Sequence, residues 1–311
     1  GGAYYLSGTI QDGLDSHSIF LMKTDTAGTQ IWTRRIWFQD ISFPVSLYLA
    51  SDGKLLMAGR SYTFSDPGRS FVLKADTSGE ILWSSAYTLE SDMELDVRDC
   101  QTDADGRIWM TGIMIYPHEV MLGNPVSFIC QLNSEGIVNW AKTLLTGDSM
   151  LVLNHLLPHE NACYAAGTTG KFDTDALFLI KVDQNGEILF QKSLGNEDLE
   201  LNQKGLCFVQ GDELLISGSL FHDEPNADSD VFLCKTNLNA ELVEAKSMGS
   251  ERDEYAQSAW YSANGGQVGV LCVARMDLPT KPTCIMYLQS GQNLELACQA
   301  SDVSFASVHT S

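Results

Sequence analysis

Basic residues are scarce in this chain. Its 311 residues include 19 Lys and Arg against 40 Asp and Glu, a formal net charge of −21. Binding a nucleic-acid backbone needs clustered cations, and no basic stripe interrupts the acidic excess, so nucleic acid is excluded as a partner. Long apolar runs are missing as well. Nothing approaches the roughly 20 residues that a membrane-spanning helix needs, so the chain is read as not membrane-spanning. Catalytic signatures are equally sparse: there is no nucleophile elbow, phosphate loop, dinucleotide fingerprint or Cys-x-x-Cys pair. Eight cysteines, at 100, 130, 163, 207, 234, 272, 284 and 298, are too few for a disulfide scaffold and read as small apolar core residues.

What the chain has is repetition. "FLMKTDTAGTQIW" from Phe20 returns as "FVLKADTSGEILW" from Phe71, then in worn form from Phe128, Phe178, Phe232 and Cys284. A second phrase, an apolar run ending in a small residue, interleaves with it and closes at Gly8, Gly59, Gly112, Gly167, Gly218 and Cys272. Both are rich in aromatic and β-branched residues and bounded by Gly, Asp, Asn and Ser, which reads as strands joined by turns. A repeat of about 50 residues suits one small sheet of a radial array.

Each repeat parses into four strands, here called A to D from the inside outwards. The small residue ends strand B, the "FLMK" type phrase is strand C, and Trp32, Trp83, Trp140 or Phe190 stands on strand D. The Asp or Asn opening the C to D turn is turn chemistry rather than a ligand, and the strand D aromatic is expected to pack on the neighbouring repeat. The chain opens on a strand B and closes on the orphan strand "VSFASVHTS". The expected fold is therefore all-β: a six-bladed β-propeller over residues 1–311, a single domain of four-stranded antiparallel blades, in which the C-terminal strand completes the first blade. Cys272 and Cys284, spaced like Gly8 and Phe20, are expected to be cross-strand neighbours.

In such a fold the B to C and D to A loops share one face. Here those loops are acidic, vary from repeat to repeat and carry Trp37, Phe38, Tyr62, Phe64, Tyr116, Phe172, Phe221 and Tyr255. Aromatics beside carboxylates suit stacking on sugar rings, while packing over blade ends is the alternative reading. Aligning strand A places Tyr48, Arg98, Asp99, Asn154, His155 and Lys204 near the central channel, either as a small-ligand site or as interblade ion pairs and water. Asp223, Glu224, Asp228 and Asp230 offer hard oxygens to calcium but lack a calcium-loop motif, so solvated acids are the alternative. His155 and His159 do not suit zinc, because four residues along a strand span about 13 Å. No cofactor other than calcium suggests itself.

The stretch "SLGNEDLELNQKGLCFVQGDELLISGSLFHDEPNADSDVFLCKTNLNAELV" resembles one unit of the secreted propeller repeat found in Bacteroidetes and archaeal surface proteins. That resemblance implies export, with an extracellular, cell-surface or periplasmic setting, and says little of activity. The reading is a non-catalytic propeller that recognises a protein or glycan through its loop face. A propeller hydrolase or lactonase with a channel site, and a spacer module of a larger surface protein, are the alternatives.

Overall fold

The structure is a computed structural model that describes residues 2–11, 13, 16–39, 41–63, 68–89, 93–115, 125–145, 150–171, 174–195, 199–209, 212–222, 229–249, 253–262, 266–275, 283–290, 300–302 and 306–308. Every regular element among them is a strand. The chain divides into two compact units: Gly1–Leu145 with Pro158–Cys163 and Gln184–Gly186, and Thr146–Leu157 with Tyr164–Asp183 and Glu187–Ser311.

In the first unit, β1 (Ala3–Gln11), β2 (His17–Asp25) and β3 (Gln30–Ile36) form an antiparallel meander, followed by β4 (Ile41–Leu49), β5 (Leu55–Tyr62), β6 (Arg69–Ala75) and β7 (Ile81–Tyr87). A single parallel bridge from His17 to Ile41 joins these two meanders. A separate sheet holds β8 (Glu94–Thr102), β9 (Ile108–Ile115), β10 (Val126–Leu132) and β11 (Val138–Leu144). The strands of the second sequence half repeat the scheme: β12 (Met150–His159), β13 (Ala162–Lys171), β14 (Thr174–Asp183) and β15 (Ile188–Gly195), then β16 (Leu199–Val209), β17 (Glu213–His222), β18 (Asp230–Asn237) and β19 (Leu242–Met248). The three-stranded β20 (Glu254–Ser262), β21 (Gln267–Arg275) and β22 (Thr283–Ser290) follow, with short β23 (Ala300–Asp302) and β24 (Ala306–Val308). Four-stranded antiparallel meanders in the expected A to D order are thus the unit of construction.

Two sequence expectations need correction. The C-terminal segment does not complete the first meander: β23 pairs with β19 and β24 with β15, each adding a fifth strand to an outer edge. An outer strand D carries a row of unpaired backbone groups that any short extended segment can satisfy. Second, Cys272 stands opposite Met286, and Cys284 opposite Ala274. The register is offset by two residues because this repeat has 14 residues between paired positions, as Gly218 and Phe232 do, rather than the 12 of Gly8 and Phe20.

The turns behave as their composition requires. Asp25 Oδ1 accepts from the backbone N–H groups of Ala27 (2.9 Å) and Thr29 (2.8 Å), and Gly28 takes φ +84°. Asp76, Asn133 and Asn237 accept the same pair of bonds in their turns. These side chains replace backbone ladder bonds that a reversing chain loses.

The small residue of strand B, which the sequence places at the strand's end, lies inside it, as Gly59 does in Leu55–Tyr62, and has a physical cause. Strand A carries a bulge opposite it, seen as register shifts at Pro44/Ser46, Val97/Asp99, Gln203/Gly205 and Ala256/Ser258. The bulge pushes a strand A carbonyl onto the glycine, while the strand C phenylalanine lies across it from the other side. A Cβ on Gly59 would collide with the Phe43 carbonyl oxygen and lie 2.5 Å from Phe71 Cζ; Gly218 meets Asn202 and Phe232 in the same way. Cys272 is tolerated where no phenylalanine stands opposite.

Strand D is fastened to the next repeat by its aromatic residue. Trp32 Nε1 donates to the Thr77 carbonyl (3.3 Å) and Trp140 Nε1 to the Gln184 carbonyl (2.9 Å). Trp83 lies against Gly136, whose carbonyl also accepts from the Tyr87 hydroxyl at 2.6 Å. Apolar cores fill the spaces within each unit, with Phe71, Trp109, Tyr164, Phe178 and Phe232 fully buried. Burial pushes the Cys130 and Cys234 thiols up to about 12. Burial likewise raises Cys100, helped by the Asp99 carboxylate.

Gly59→Ala is expected to lower stability by about 1–3 kcal/mol, read from denaturant midpoints; an unchanged midpoint would show that the bulge relaxes freely. The thiols make a second prediction. A raised folded pKa disfavours the thiolate in the folded state, so their contribution to stability is complete below the ordinary value of 9.0 and fades as pH rises towards about 12. Iodoacetamide at pH 8 should leave Cys100, Cys130 and Cys234 unlabelled in native protein and label them in denaturant, as read by peptide mass mapping.

Candidate functional site

The strand ends facing the B to C and D to A loops gather a cluster in the first unit. Phe43 on β4 and Arg60 on β5 are direct cross-strand partners, with Ile41 and Tyr62 the next such pair along the same face. The Phe43 ring lies 5.5 Å from that of His17 and 6.1 Å from that of Tyr62, and the Arg60 guanidinium is 5.9 Å from its centroid. Arg60 reaches Asp96 Oδ2 at 3.5 Å, and Arg98 meets the same oxygen at 2.9 Å. Arg98 gets there because it is the extra residue of the β8 bulge, a device that re-aims a side chain.

Two cations therefore share one buried carboxylate. Asp96 is 5% exposed, whereas the Arg60 and Arg98 side chains keep 47% and 39% of their surface. His17 Nδ1 and Arg98 Nε are buried without a hydrogen-bond partner among the described residues. Half-buried rings beside outward guanidiniums can stack on a ligand and donate hydrogen bonds to it.

The expected loop aromatics divide. Trp37, immediately after β3, is 56% exposed and carries the Arg35 guanidinium 4.2 Å over its ring. Arg35 Nε in turn donates to Ser18 Oγ at 2.8 Å, which fixes that stack. Phe38, one residue on, stacks on Phe71 at 4.0 Å and 18° and plugs the end of a core. Tyr62 belongs to the cluster just described. In the second unit, half-buried Phe221 pairs with Tyr255 at 6.1 Å. Phe64, Tyr116 and Phe172 lie outside the described residues, as do Asp223, Glu224 and Asp228 of the calcium candidate. Among the described residues no group of three or more His, Cys, Asp or Glu side chains could hold a metal ion.

The strand A polar residues are tied into local bonds. Asp99 accepts from Ser46 Oγ (2.8 Å), the Cys100 N–H (2.8 Å) and Gln101 Nε2 (3.1 Å). Tyr48 has its hydroxyl pKa raised by burial and by Asp99. Asn154 Nδ2 donates to the Gln203 carbonyl at 3.2 Å, and His155 Nδ1 lies 3.2 Å from Gln203 Oε1. Lys204 is the bulge residue of β16, equivalent to Arg98 in β8. Sequence reasoning passed over His17, Phe43, Arg60 and Asp96. Arg60 carried a signal: it follows the strand B glycine where the other repeats have Thr9, Ile113, Thr168 and Ser219.

No family model matches the sequence, and no curated protein does. Solved structures do resemble the fold. The Penicillium chrysogenum α-L-arabinanase complexed with arabinobiose aligns with a TM-score of 0.55 at 9% identity, covering 83% of this chain and 92% of that one. The Trypanosoma rangeli sialidase in complex with the inhibitor DANA aligns with a TM-score of 0.57 at 9% identity, covering 93% of this chain and 53% of the sialidase. Both are β-propeller glycosidases, and at such identity the likeness shows the fold alone. The chain has an all-β, propeller-like fold. No helix among the described residues is long and apolar enough to cross a membrane.

Phe38→Ala removes a ring stacked on Phe71 and should cost about 2 kcal/mol. Trp37→Ala next to it, losing an exposed ring, should shift the denaturant midpoint little; equal losses for the two would mean that both are plugs.

Proposed function

We propose that the chain is an exported, six-bladed propeller that binds a glycan, without cleaving it, through the loop-end cluster of Phe43, Arg60, Tyr62, Asp96 and Arg98. The observation that carries this reading is the pair of half-exposed guanidiniums anchored on one buried carboxylate next to an aromatic face. Anchoring holds the donors in place before the ligand arrives, which lowers the entropy lost on binding. Rings supply apolar faces for sugar C–H groups, and guanidiniums donate to ring substituents. The fold likeness to an arabinanase and a sialidase is in keeping with a carbohydrate ligand.

Binding rather than hydrolysis is favoured by the state of the acids. Asp96 is engaged by two arginines and Asp99 by three donors, so both carboxylates serve as anchors for neighbouring groups. A six-bladed ring, a surface or periplasmic setting and membership of the secreted propeller repeat family belong to the same proposal. Calcium has a place in it only at Asp223, Glu224, Asp228 and Asp230.

A glycan array followed by titration calorimetry tests the reading. Arg60→Ala and Tyr62→Ala should each weaken the selected glycan at least about tenfold, equivalent to about 1.4 kcal/mol, with melting temperature nearly unchanged. Release of reducing sugar by wild-type protein would replace binding with hydrolysis. Full affinity in both variants would remove the cluster from the site.

A further inference from the structure

At the opposite, turn-bearing ends of the strands, the first unit holds a polar cleft of about 570 Å3 lined by Arg107, Gln131, Asn139, Trp140, Gln184 and Asn185. Its volume falls within the roughly 300–1,000 Å3 typical of ligand pockets. Two of its residues break the repeat. Where Gln131 stands, four other repeats have Lys23, Lys74, Lys181 and Lys235; where Asn139 stands they have Ile31, Leu82, Leu189 and Val243. Lys74 and Lys235 are buried and reach carboxylates of their own repeats, Asp52 at 2.9 Å and Glu244 at 3.2 Å.

The two departures meet in space. Asn139 Nδ2 donates to Gln131 Oε1 at 3.2 Å. Gln131 is only 3% exposed, and its Nε2 has no hydrogen-bond partner among the described residues. A buried amide donor without a partner is costly, of order 1–3 kcal/mol in proteins generally, and a water, an ion or a ligand group that accepts from it removes that cost. The cleft around it is rigid. Arg107 is paired with Asp103 at 2.7 Å and Asp105 at 2.8 Å and also donates to Gln184 Oε1 at 2.8 Å. Trp140 is held by its bond to the Gln184 carbonyl and by an edge contact to Trp109 at 5.5 Å.

We propose that this cleft binds one neutral sugar residue, with Trp140 as the stacking surface and the Gln131, Asn139 and Gln184 amides as partners for its hydroxyls. Amides offer donors and acceptors side by side, as hydroxyl groups require. An anionic ligand is disfavoured because Arg107, the one cation among the described lining residues, already serves two carboxylates. The site stands apart from the loop-end cluster and does not depend on it.

Substitutions that restore the repeat give the test, since Gln131→Lys and Asn139→Leu install what the other repeats carry. Wild-type protein should be retarded in native gels containing at least one of arabinan, xylan, laminarin or galactomannan. The double variant Q131K/N139L should run as in ligand-free gel, with an unchanged or higher melting temperature, and Arg60→Ala should stay retarded. Should the double variant fold poorly, Asn139→Leu alone, at an exposed position, should still abolish quenching of tryptophan fluorescence by the retarding polysaccharide. The proposal falls if no neutral polysaccharide retards the wild type, or if the folded variants bind as well as wild type. It also falls if Arg60→Ala alone loses retardation, which would assign the binding to the loop-end cluster.

Discussion

A missing Cβ organises these sheets. Within strand B the backbone passes between a bulged strand A and a phenylalanine on strand C, with no room for a side chain at Gly59, Gly112 or Gly218. That single contact sets the register on both sides of strand B. In the last repeat the bulge persists, at Ala256/Ser258, although Cys272 replaces the glycine and no phenylalanine faces it.

The bulge has a functional consequence. Each supplies one residue unconstrained by ladder pairing: Val45, Arg98, Lys204 and Gln257. The scaffold therefore offers the same position several times with different chemistry. In β8 the position is taken by Arg98, which reaches Asp96 and with Arg60 places two cations on one carboxylate. A fold built from copies diversifies by changing residues at positions that the shared packing leaves open.

Much of this was legible in the sequence, and the reason is repetition. Turn Asp and Asn residues, the strand B glycines and the strand D tryptophans each recur, and recurrence separates structural residues from incidental ones. The strand D tryptophans pack where expected, on the following turn, at Thr77, Gly136 and Gln184. The C-terminal pairing was not legible, because an extended segment such as Ala306–Val308 satisfies any free strand edge and its residues do not choose among edges. Nor was the fate of individual loop aromatics: Trp37 and Phe38 are adjacent and equally apolar, yet one projects outward and the other stacks on Phe71. That difference is decided by alternation at the end of β3 and by the space over the core, neither of which composition records.

The same logic explains why Arg60, Gln131 and Asn139 were overlooked in a reading that sought what the repeats share. Arg60, Gln131 and Asn139 are departures, and a departure in one copy is invisible to a consensus. Departures at random would scatter over the surface and find no common partner. Here Arg60 converges on the carboxylate already held by Arg98, and Gln131 bonds Asn139 beside a fixed indole. Where the array restores its rule, as at Lys74 with Asp52, the polar group is closed by an ion pair within its own repeat. Where it breaks the rule, donors are left without a hydrogen-bond partner among the described residues: Arg98 Nε in one case and Gln131 Nε2 in the other. At the Gln131 position the repeat itself supplies a satisfied alternative, the ion-paired Lys74 and Lys235, so packing alone gives no reason to keep the amide there.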